Sequence, residues 1–278
     1  MNTNLYEYNG VGSVPKDVVH VLVNDGVVLI PDKTFRECHN LESIIIPDSV
    51  TKIGQEAFRN CKSIVTINLP PSIKKIGHYA FLYCEKLRNI DIPNAVTEIG
   101  SNTFGYCKNL EIINIPSSVE EIGSSAFRGC SKLVSVSTLL SVKHIELWAF
   151  RNCESLRSLA LSEDIDYIGF EVFKGCKSLH EIELYYDYRQ FTLPLLHFYL
   201  IFGKVRYQND DISKILDAKD FNLDMADPIF GMYPFLLAAC TPHKHFSNTY
   251  PHDQKEHLET VYVLLREAPW IMKQLCPK

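Results

Sequence analysis

Apolar residues recur along roughly the first two thirds of the chain with a period of 23 residues. Each period holds an alternating apolar and polar stretch typical of a strand, a second short apolar pair, and a phenylalanine followed three residues later by a cysteine. The phenylalanines that mark the period are Phe35, Phe58, Phe81, Phe104, Phe127, Phe150 and Phe173. This pattern predicts stacked coils, because each unit has an apolar face that only a neighbouring unit can cover.

Each repeat unit is predicted to have three parts. An L-x-x-I-x-I stretch, such as the one containing Leu87 and Ile90, forms a strand that Pro93 ends, because proline cannot donate to a strand ladder. A V-x-x-I-G stretch then turns the chain, and we expect a positive φ at its glycine. These glycines are Gly54, Gly77, Gly100, Gly123 and Gly169. The A-F-x-x-C stretch is predicted to be one short helical turn with its Phe and Cys in the core.

The full motif, L-x-x-I-x-I-P-x-S-V-x-x-I-G-x-x-A-F-x-x-C, resembles the BspA-type leucine-rich repeat. The resemblance covers residues 16–184 and implies a repeat solenoid of short parallel strands and short helical turns. Eight stacked strands are expected between Val18 and Leu184. Residues 1–15 are predicted to be an N-terminal cap. Bacterial members of this family are often secreted adhesins, so the resemblance also implies surface binding as an alternative function.

Three residues depart from the motif in the last two full coils. Leu139 and Ser162 replace the proline that ends the strand, and Glu146 replaces the glycine. We interpret these changes as drift near the end of a solenoid, where repeats are commonly atypical, and expect a less regular stack there.

The repeated cysteines are predicted to be free thiols packed in the core. They lack the C-x-x-C spacing of zinc sites, and free cysteine is a small residue that is commonly buried. The seven members of this series, here called the cysteine ladder, are Cys38, Cys61, Cys84, Cys107, Cys130, Cys153 and Cys176.

The 23-residue period ends after Leu184. Residues 185–209 are rich in aromatic and aliphatic side chains, which favours a cap and hinge that covers the end of the core. Residues 210–278 are predicted to be a small α-helical cap. Its stretch GMYPFLLAA, residues 231–239, resembles the ankyrin signature G-x-T-P-L-x-x-A-A, and residues 257–272 resemble the second ankyrin helix.

Charge and composition exclude several classes of function. The chain has 28 Lys and Arg against 33 Asp and Glu, a balance unlike that of a dedicated nucleic-acid binder. No apolar run approaches the length of about 20 residues that a membrane helix needs. The first residues contain no basic and apolar leader, so we expect a cytoplasmic protein that does not insert into membranes and keeps its thiols reduced.

The outward positions of the predicted strands are the candidate site for binding another protein, because solenoids commonly bind through such extended faces. We call this set the strand face; it comprises Thr66, Asn68, Asn89, Asp91, Ile112, Asn114, Ser135 and Ser137. The strip offers only about 250 Å², whereas a stable interface takes about 800 Å² per partner, so flanking turns must contribute.

The strand face contains no catalytic pair, and no nucleophile, base and orienting group occur together in the sequence. We therefore predict a monomeric, non-enzymatic interaction module or scaffold without a cofactor. Two alternatives stay open: a cell-surface or secreted adhesin, and a metal-binding protein. The metal alternative rests on the polar loop that contains His243, His245, His252 and His257, since histidine clusters can hold metal ions.

Overall fold

The repeats form a parallel β-solenoid. In a computed structural model, the described residues are 5–137, 139–162, 165–169, 171–179, 181–186 and 189–194. The chain separates into two units, Met1–Thr192 and Leu193–Lys278, and all of the repeats lie in the first.

All regular elements in the described ranges are short strands. In chain order they are β1 (Leu5–Tyr8), β2 (His20–Val23), β3 (Leu29–Ile30), β4 (Ser43–Ile45), β5 (Lys52–Ile53), β6 (Lys75–Ile76), β7 (Asn89–Asp91), β8 (Glu98–Ile99), β9 (Ile112–Asn114), β10 (Glu121–Ile122), β11 (Ser135–Val136), β12 (His144–Ile145), β13 (Ala160–Ser162), β14 (Tyr167–Ile168), β15 (Glu181–Tyr186) and β16 (Arg189–Pro194).

The strands lie in two rows that run along the stack. The first row comprises the sheets β1-β2-β4, β7-β9-β11 and β13-β15-β16, with isolated bridges at Thr66–Asn89 and Ser135–Ser158. The second row comprises β3-β5-β6 and β8-β10-β12-β14. Within the repeats the pairing is parallel and joins equivalent residues of adjacent coils, as Ile90 pairs with Ile113. The predicted parallel stack of repeats is therefore confirmed.

The A-F-x-x-C stretch is not helical, so the prediction of short helical turns was wrong. The described part of the chain contains no helix, and each of these stretches is an irregular turn that hydrogen-bonds to the following coil. In one coil the N–H groups of Glu56, Phe58 and Asn60 donate to carbonyls of the next coil at 3.0, 2.8 and 2.8 Å. A helix would direct these donors along its own axis, where they could not bond to the neighbouring coil.

The hydrogen bonds between successive A-F-x-x-C turns form a third ladder beside the two rows of strands. This ladder requires an unusual backbone. The residues two before and two after each phenylalanine have a positive φ, as at Glu56 (55°) and Asn60 (63°), and the pattern repeats around Phe81, where Tyr79 and Tyr83 have 59° and 61°. Left-handed backbone at non-glycine residues is uncommon and costs energy. Here it accompanies three bonds to the adjacent coil.

The glycines of the V-x-x-I-G stretch do not have a positive φ, so that prediction was also wrong. Instead they permit close approach between coils. A Cβ atom at Gly77 would lie 2.5 Å from the backbone nitrogen of Gln55, and one at Gly169 would lie 2.3 Å from that of Leu147. The N–H of Gly77 donates to the carbonyl of Ile53 at 2.9 Å, which holds the two backbones together.

Replacing Gly77 by alanine is expected to lower the free energy of unfolding by about 2–3 kcal/mol, because backbone atoms of Gln55 and Gly54 would have to move. Gly12→Ala is the matched control: it has a φ of 85° but nothing within 4 Å of the added methyl group, and should cost about 1 kcal/mol for strain alone. Urea denaturation measures both. A smaller loss of unfolding free energy for Gly77→Ala than for Gly12→Ala would contradict the explanation by close approach of the two coils.

The core is a continuous stack of aromatic rings. Adjacent ladder phenylalanines lie 5.2–5.8 Å apart between ring centroids, with interplanar angles of 0–20°. At the N-terminal end Tyr8 of β1 adds an edge-on ring, 5.4 Å from Phe35, and is itself buried. The predicted N-terminal cap thus contains an additional strand whose tyrosine closes the aromatic stack.

The three departures from the motif are accommodated within the stack. The N–H of Glu146 donates to the carbonyl of Ile122 at 2.8 Å, as the glycines do at this position. Where Leu139 replaces the proline, it forms a parallel bridge with Leu161 and its N–H donates to the carbonyl of Ala160 at 2.8 Å. Ser162 ends β13, so the strand extends to the position where other coils have proline.

The predicted cap and hinge, residues 185–209, falls only partly within the described residues, where it contributes the end of β15 and all of β16. The predicted ankyrin-like segment, residues 210–278, lies outside the described residues.

Candidate functional site

The residues of the strand face lie on the first row of strands. The side chains of Thr66, Asn68, Asn89, Asp91, Ile112 and Asn114 are all exposed, because the alternation of each strand places every second side chain outward. The register pairs Asn89 with Ile112 and Asp91 with Asn114, and the amide of Asn114 donates to the carboxylate of Asp91 at 3.3 Å. These six residues therefore form one continuous surface.

The last two predicted residues of the strand face are less exposed to a partner than the other six. Ser135 and Ser137 are half-buried. The hydroxyl of Ser137 accepts from the N–H of Ile115 at 2.7 Å and also donates to the carbonyl of that residue at 3.1 Å. Ser137 is therefore committed to joining two coils, next to the position where Leu139 replaces the proline.

Exposed apolar side chains stand among the polar residues of this surface. Ile112 is 51% exposed and lies between Asn89 and Ser135 in the register. Ile45 is 62% exposed and occupies the strand position equivalent to Asp91. An apolar centre with a polar surround is the usual arrangement of a protein interface.

The cysteine ladder lies in the core, and its members are buried free thiols, as predicted. Each thiol from Cys61 onward donates to the carbonyl of the phenylalanine at the end of the preceding coil, as Cys84 does to Phe58 at 3.2 Å. Burial raises the pKa of Cys84 and Cys130 to about 12. Protonated thiols with high pKa values are poor nucleophiles and metal ligands, so the ladder is structural.

A second surface feature was not predicted. The turns that follow the second row carry a cluster of aromatic and basic side chains, which we call the turn patch: Tyr83, Tyr106, Arg128 and Trp148. The rings of Tyr83 and Tyr106 stack at 5.0 Å. The guanidinium of Arg128 lies 5.7 Å from the Tyr106 ring and 5.3 Å from the Trp148 ring. All four side chains are half-buried.

The turn patch could have been found by aligning the repeats and examining each position separately. Tyr83 and Tyr106 both follow a phenylalanine by two positions, Trp148 precedes one by two, and Arg128 follows one directly. Such positions are dispersed along the sequence but adjacent in the stack. The motif highlights the positions that are constant, whereas this surface lies at positions that vary between repeats.

Charged residues flank the turn patch on both sides. Glu56 is buried between Arg36 and Arg59, with N–O distances of 2.9 and 2.8 Å. Burial alone would raise the pKa of Glu56, but its hydrogen bond to Arg59 and the charge of Arg36 outweigh that effect and lower it. At the other side Glu171 pairs with Arg151 and Lys174.

The remaining candidate site, the loop containing His243, His245, His252 and His257, lies outside the described residues. Within the described residues no group of three or more His, Cys, Asp or Glu side chains is placed to hold a metal ion. In the same part of the chain, no helix has the length and apolar character needed to cross a membrane.

Comparison with known proteins agrees with the fold. The BspA type leucine rich repeat region, in six copies, matches residues 28–155 and 98–193, which together are more than half of the chain. No curated protein sequence matches this chain at a significant level.

Several solved structures are similar. A leucine rich repeat protein of T. pallidum is 33% identical, with 63% of this chain and 82% of that chain covered and a TM-score of 0.56. One from Bacteroides ovatus is 26% identical, with 60% and 52% covered and a TM-score of 0.45. The pneumococcal vaccine antigen PcpA is 20% identical, with 64% and 54% covered and a TM-score of 0.44. On its repeat motif, its stacked coils and the match over residues 28–193, the chain belongs to the BspA-type leucine-rich repeat family.

Proposed function

We propose that this protein is a non-catalytic interaction module that binds another protein through the strand face and the turns beside it. The observation that supports the proposal is the exposure of most side chains of the strand face. Six of its eight residues are exposed. The exposed side chain of Ile112 stands at its centre, next to Asn89 in the strand register.

The backbone of the solenoid makes this surface a rigid platform. Strand pairs and turn ladders bond each coil to the next, so the positions of Asn89, Ile112 and Ser135 are fixed along one line. Binding to such a pre-organised surface costs less conformational entropy than binding to flexible loops, because the surface is already ordered. Burial of Ile112 would supply apolar contact, and the surrounding amides would supply hydrogen bonds.

We further propose that the module acts as a monomer inside the cell and needs no cofactor. The free thiols of the cysteine ladder support this localisation, since reducing compartments keep thiols unpaired. Neither a catalytic triad nor a recognised metal motif occurs in the sequence, which supports a binding role.

The test is capture of partners from a native extract with the full chain and with an Asp91→Arg, Asn114→Arg double variant. We expect the variant to lose a specific partner by about tenfold or more, because two long cations would prevent close contact over the strand face.

The matched control is Thr97→Arg with Glu121→Arg. Both residues are exposed and lie in the same two coils, with Glu121 in β10 and Thr97 directly before β8, and the substitutions change the net charge by the same amount. Retention of the partner by the control and its loss from the strand-face variant would support the proposal. Equal capture by both variants would contradict it.

A further inference from the structure

The basic side chains of the turns lie in one column along the stack, at the position directly after five of the seven ladder phenylalanines. Arg36 and Arg59 both pair with the carboxylate of Glu56, and Arg151 and Lys174 both pair with that of Glu171. A carboxylate thus neutralises part of the positive charge at each end of the column.

Arg128 belongs to the same column but has no carboxylate partner among the described residues. The reason lies in the sequence. The position that holds Glu56 or Glu171 in other coils holds Ser125 in its own coil and Trp148 in the next. Its guanidinium is instead held between the rings of Tyr106 and Trp148, at 5.7 and 5.3 Å from the two centroids.

Aromatic contacts orient this guanidinium without neutralising it. Cation–π contacts attract the cation to the ring faces and leave the N–H groups at the edge available for acceptors. The Nε atom of Arg128 is buried and has no hydrogen-bond partner, a feature it shares with Arg59 and Arg151. What distinguishes Arg128 is that its terminal nitrogens also have no acceptor in the part of the chain that the structure describes.

The aromatic part of the patch extends the surface along the stack. Tyr83 stacks on Tyr106, and the two coils in which they lie carry Leu82 and Gly105 where the others have Arg or Lys. From Tyr83 to Trp148 the patch crosses four coils, about 15 Å, which is the length of about five residues of extended peptide. Tyr, Trp and Arg are the residues most enriched in binding hot spots.

We propose that the turn patch binds an acidic segment of a protein partner, with one carboxylate on the guanidinium of Arg128 and an adjacent apolar side chain on Tyr83 and Tyr106. The planar fork of arginine matches a carboxylate with two parallel hydrogen bonds. This site shares no residue with the strand face, so substitutions can test the two surfaces independently.

The local charge favours a single carboxylate over a polyanion. The guanidinium of Arg151 also lies 5.5 Å from the Trp148 ring, but it is already paired with Glu171, which leaves Arg128 as the cation without a carboxylate among the described residues of the patch. A phosphate cluster or a nucleic-acid backbone would require several uncompensated cations and would also meet the charge of Glu171. An Asp or Glu side chain brings one negative charge to one positive charge.

The experiment selects short random peptides, displayed on phage, against the full chain. The selected peptides are expected to share an Asp or Glu beside an apolar residue. In binding assays with the synthetic form of the best peptide, changing its acidic residue to the amide should weaken binding by about 10–100-fold, the effect of losing a charge-assisted hydrogen-bond pair.

Arg128→Gln should cause a similar loss, whereas Lys132→Gln, the same change of charge at an exposed lysine without an ion pair among the described residues, should leave the affinity unchanged. Tyr106→Asn provides a second variant that is expected to fold, since Asn60 and Asn152 occupy the equivalent positions with the same positive φ. This variant should weaken binding of the peptide at least several-fold, because the contact with the Tyr106 ring is lost.

Selected peptides without acidic residues, or affinities that do not change with Arg128→Gln, would overturn the proposal. So would a selection that yields no peptide dependent on Arg128, or displacement of the peptide by millimolar inorganic phosphate. The double variant Asp91→Arg, Asn114→Arg should keep full peptide binding, which distinguishes failure of this site from failure of the strand face.

Discussion

Raising the pH from 8 to about 10 is expected to destabilise the repeat region strongly, because the buried thiols of the cysteine ladder cannot ionise in place. Burial raises the pKa of Cys84 and Cys130 from an ordinary value of 9.0 to about 12. Burial also raises the pKa values of Cys61, Cys107 and Cys153 well above 9.0. In the unfolded chain all five thiols would lose their protons above pH 9.

The sign and size of the effect follow from proton linkage. A pKa raised in the folded state stabilises the fold fully below the unfolded value, and that stability is lost as the pH rises from about 9 toward 12. At pH 10 each thiol disfavours the folded state by about 1 kcal/mol, so the five thiols together cost several kcal/mol. This is comparable with the total stability of a typical domain, about 5–15 kcal/mol.

The measurement is the free energy of unfolding by urea at several pH values between 7 and about 10. The double variant Cys84→Ala, Cys130→Ala is the control, since it removes two ladder thiols and leaves every other ionisable group unchanged. Near pH 10 the stability of the variant should fall less steeply with pH than that of the unchanged protein, by about 2 kcal/mol per pH unit. Equal slopes for the two proteins would show that the ladder thiols do not determine alkaline stability.

Phe104→Ala is expected to destabilise the protein by about 3–5 kcal/mol, the usual cost of deleting a buried phenylalanine ring. Phe104 is fully buried, and its ring stacks on Phe81 and Phe127 at 5.5 Å on each side. The substitution therefore opens a cavity and removes two aromatic contacts, each worth about 0.5–1.5 kcal/mol beyond burial. The shift in the urea midpoint measures the loss.

Phe104→Leu separates the cost of the cavity from the cost of the lost aromatic contacts. Leucine keeps most of the buried volume but removes the ring stack, so it should cost about 1.5 kcal/mol. A midpoint for Phe104→Ala equal to that of the unchanged protein would mean that this ring does not hold the coils together.

The stack of coils was predictable because its determinants repeat. Phe, Cys and Ile recur at fixed spacing, and a residue type that returns seven times in the same place can be assigned to the core without a structure. The strand face followed from the same register, since alternation along a strand places Asn89 and Asp91 outward once Ile90 is inward.

The turns were not predictable from residue type. A-F-x-x-C has the spacing of a helical turn, but its N–H groups bond to the next coil, and that bonding imposes a positive φ on residues such as Glu56 and Tyr83. The prediction of a positive φ at the glycines of the V-x-x-I-G stretch was wrong for a related reason. Conformational freedom is a local property, whereas the contact that excludes a side chain at Gly77 comes from Gln55, in the preceding coil.

The central claim is that the strand face binds a protein partner. The most direct measurement is the affinity of a partner, once captured and purified, for the unchanged chain, the Asp91→Arg, Asn114→Arg variant and the Thr97→Arg, Glu121→Arg control. We predict a loss of about tenfold or more for the strand-face variant alone, with unchanged urea midpoints for all three proteins. Equal affinity for the unchanged chain and the strand-face variant would contradict the claim.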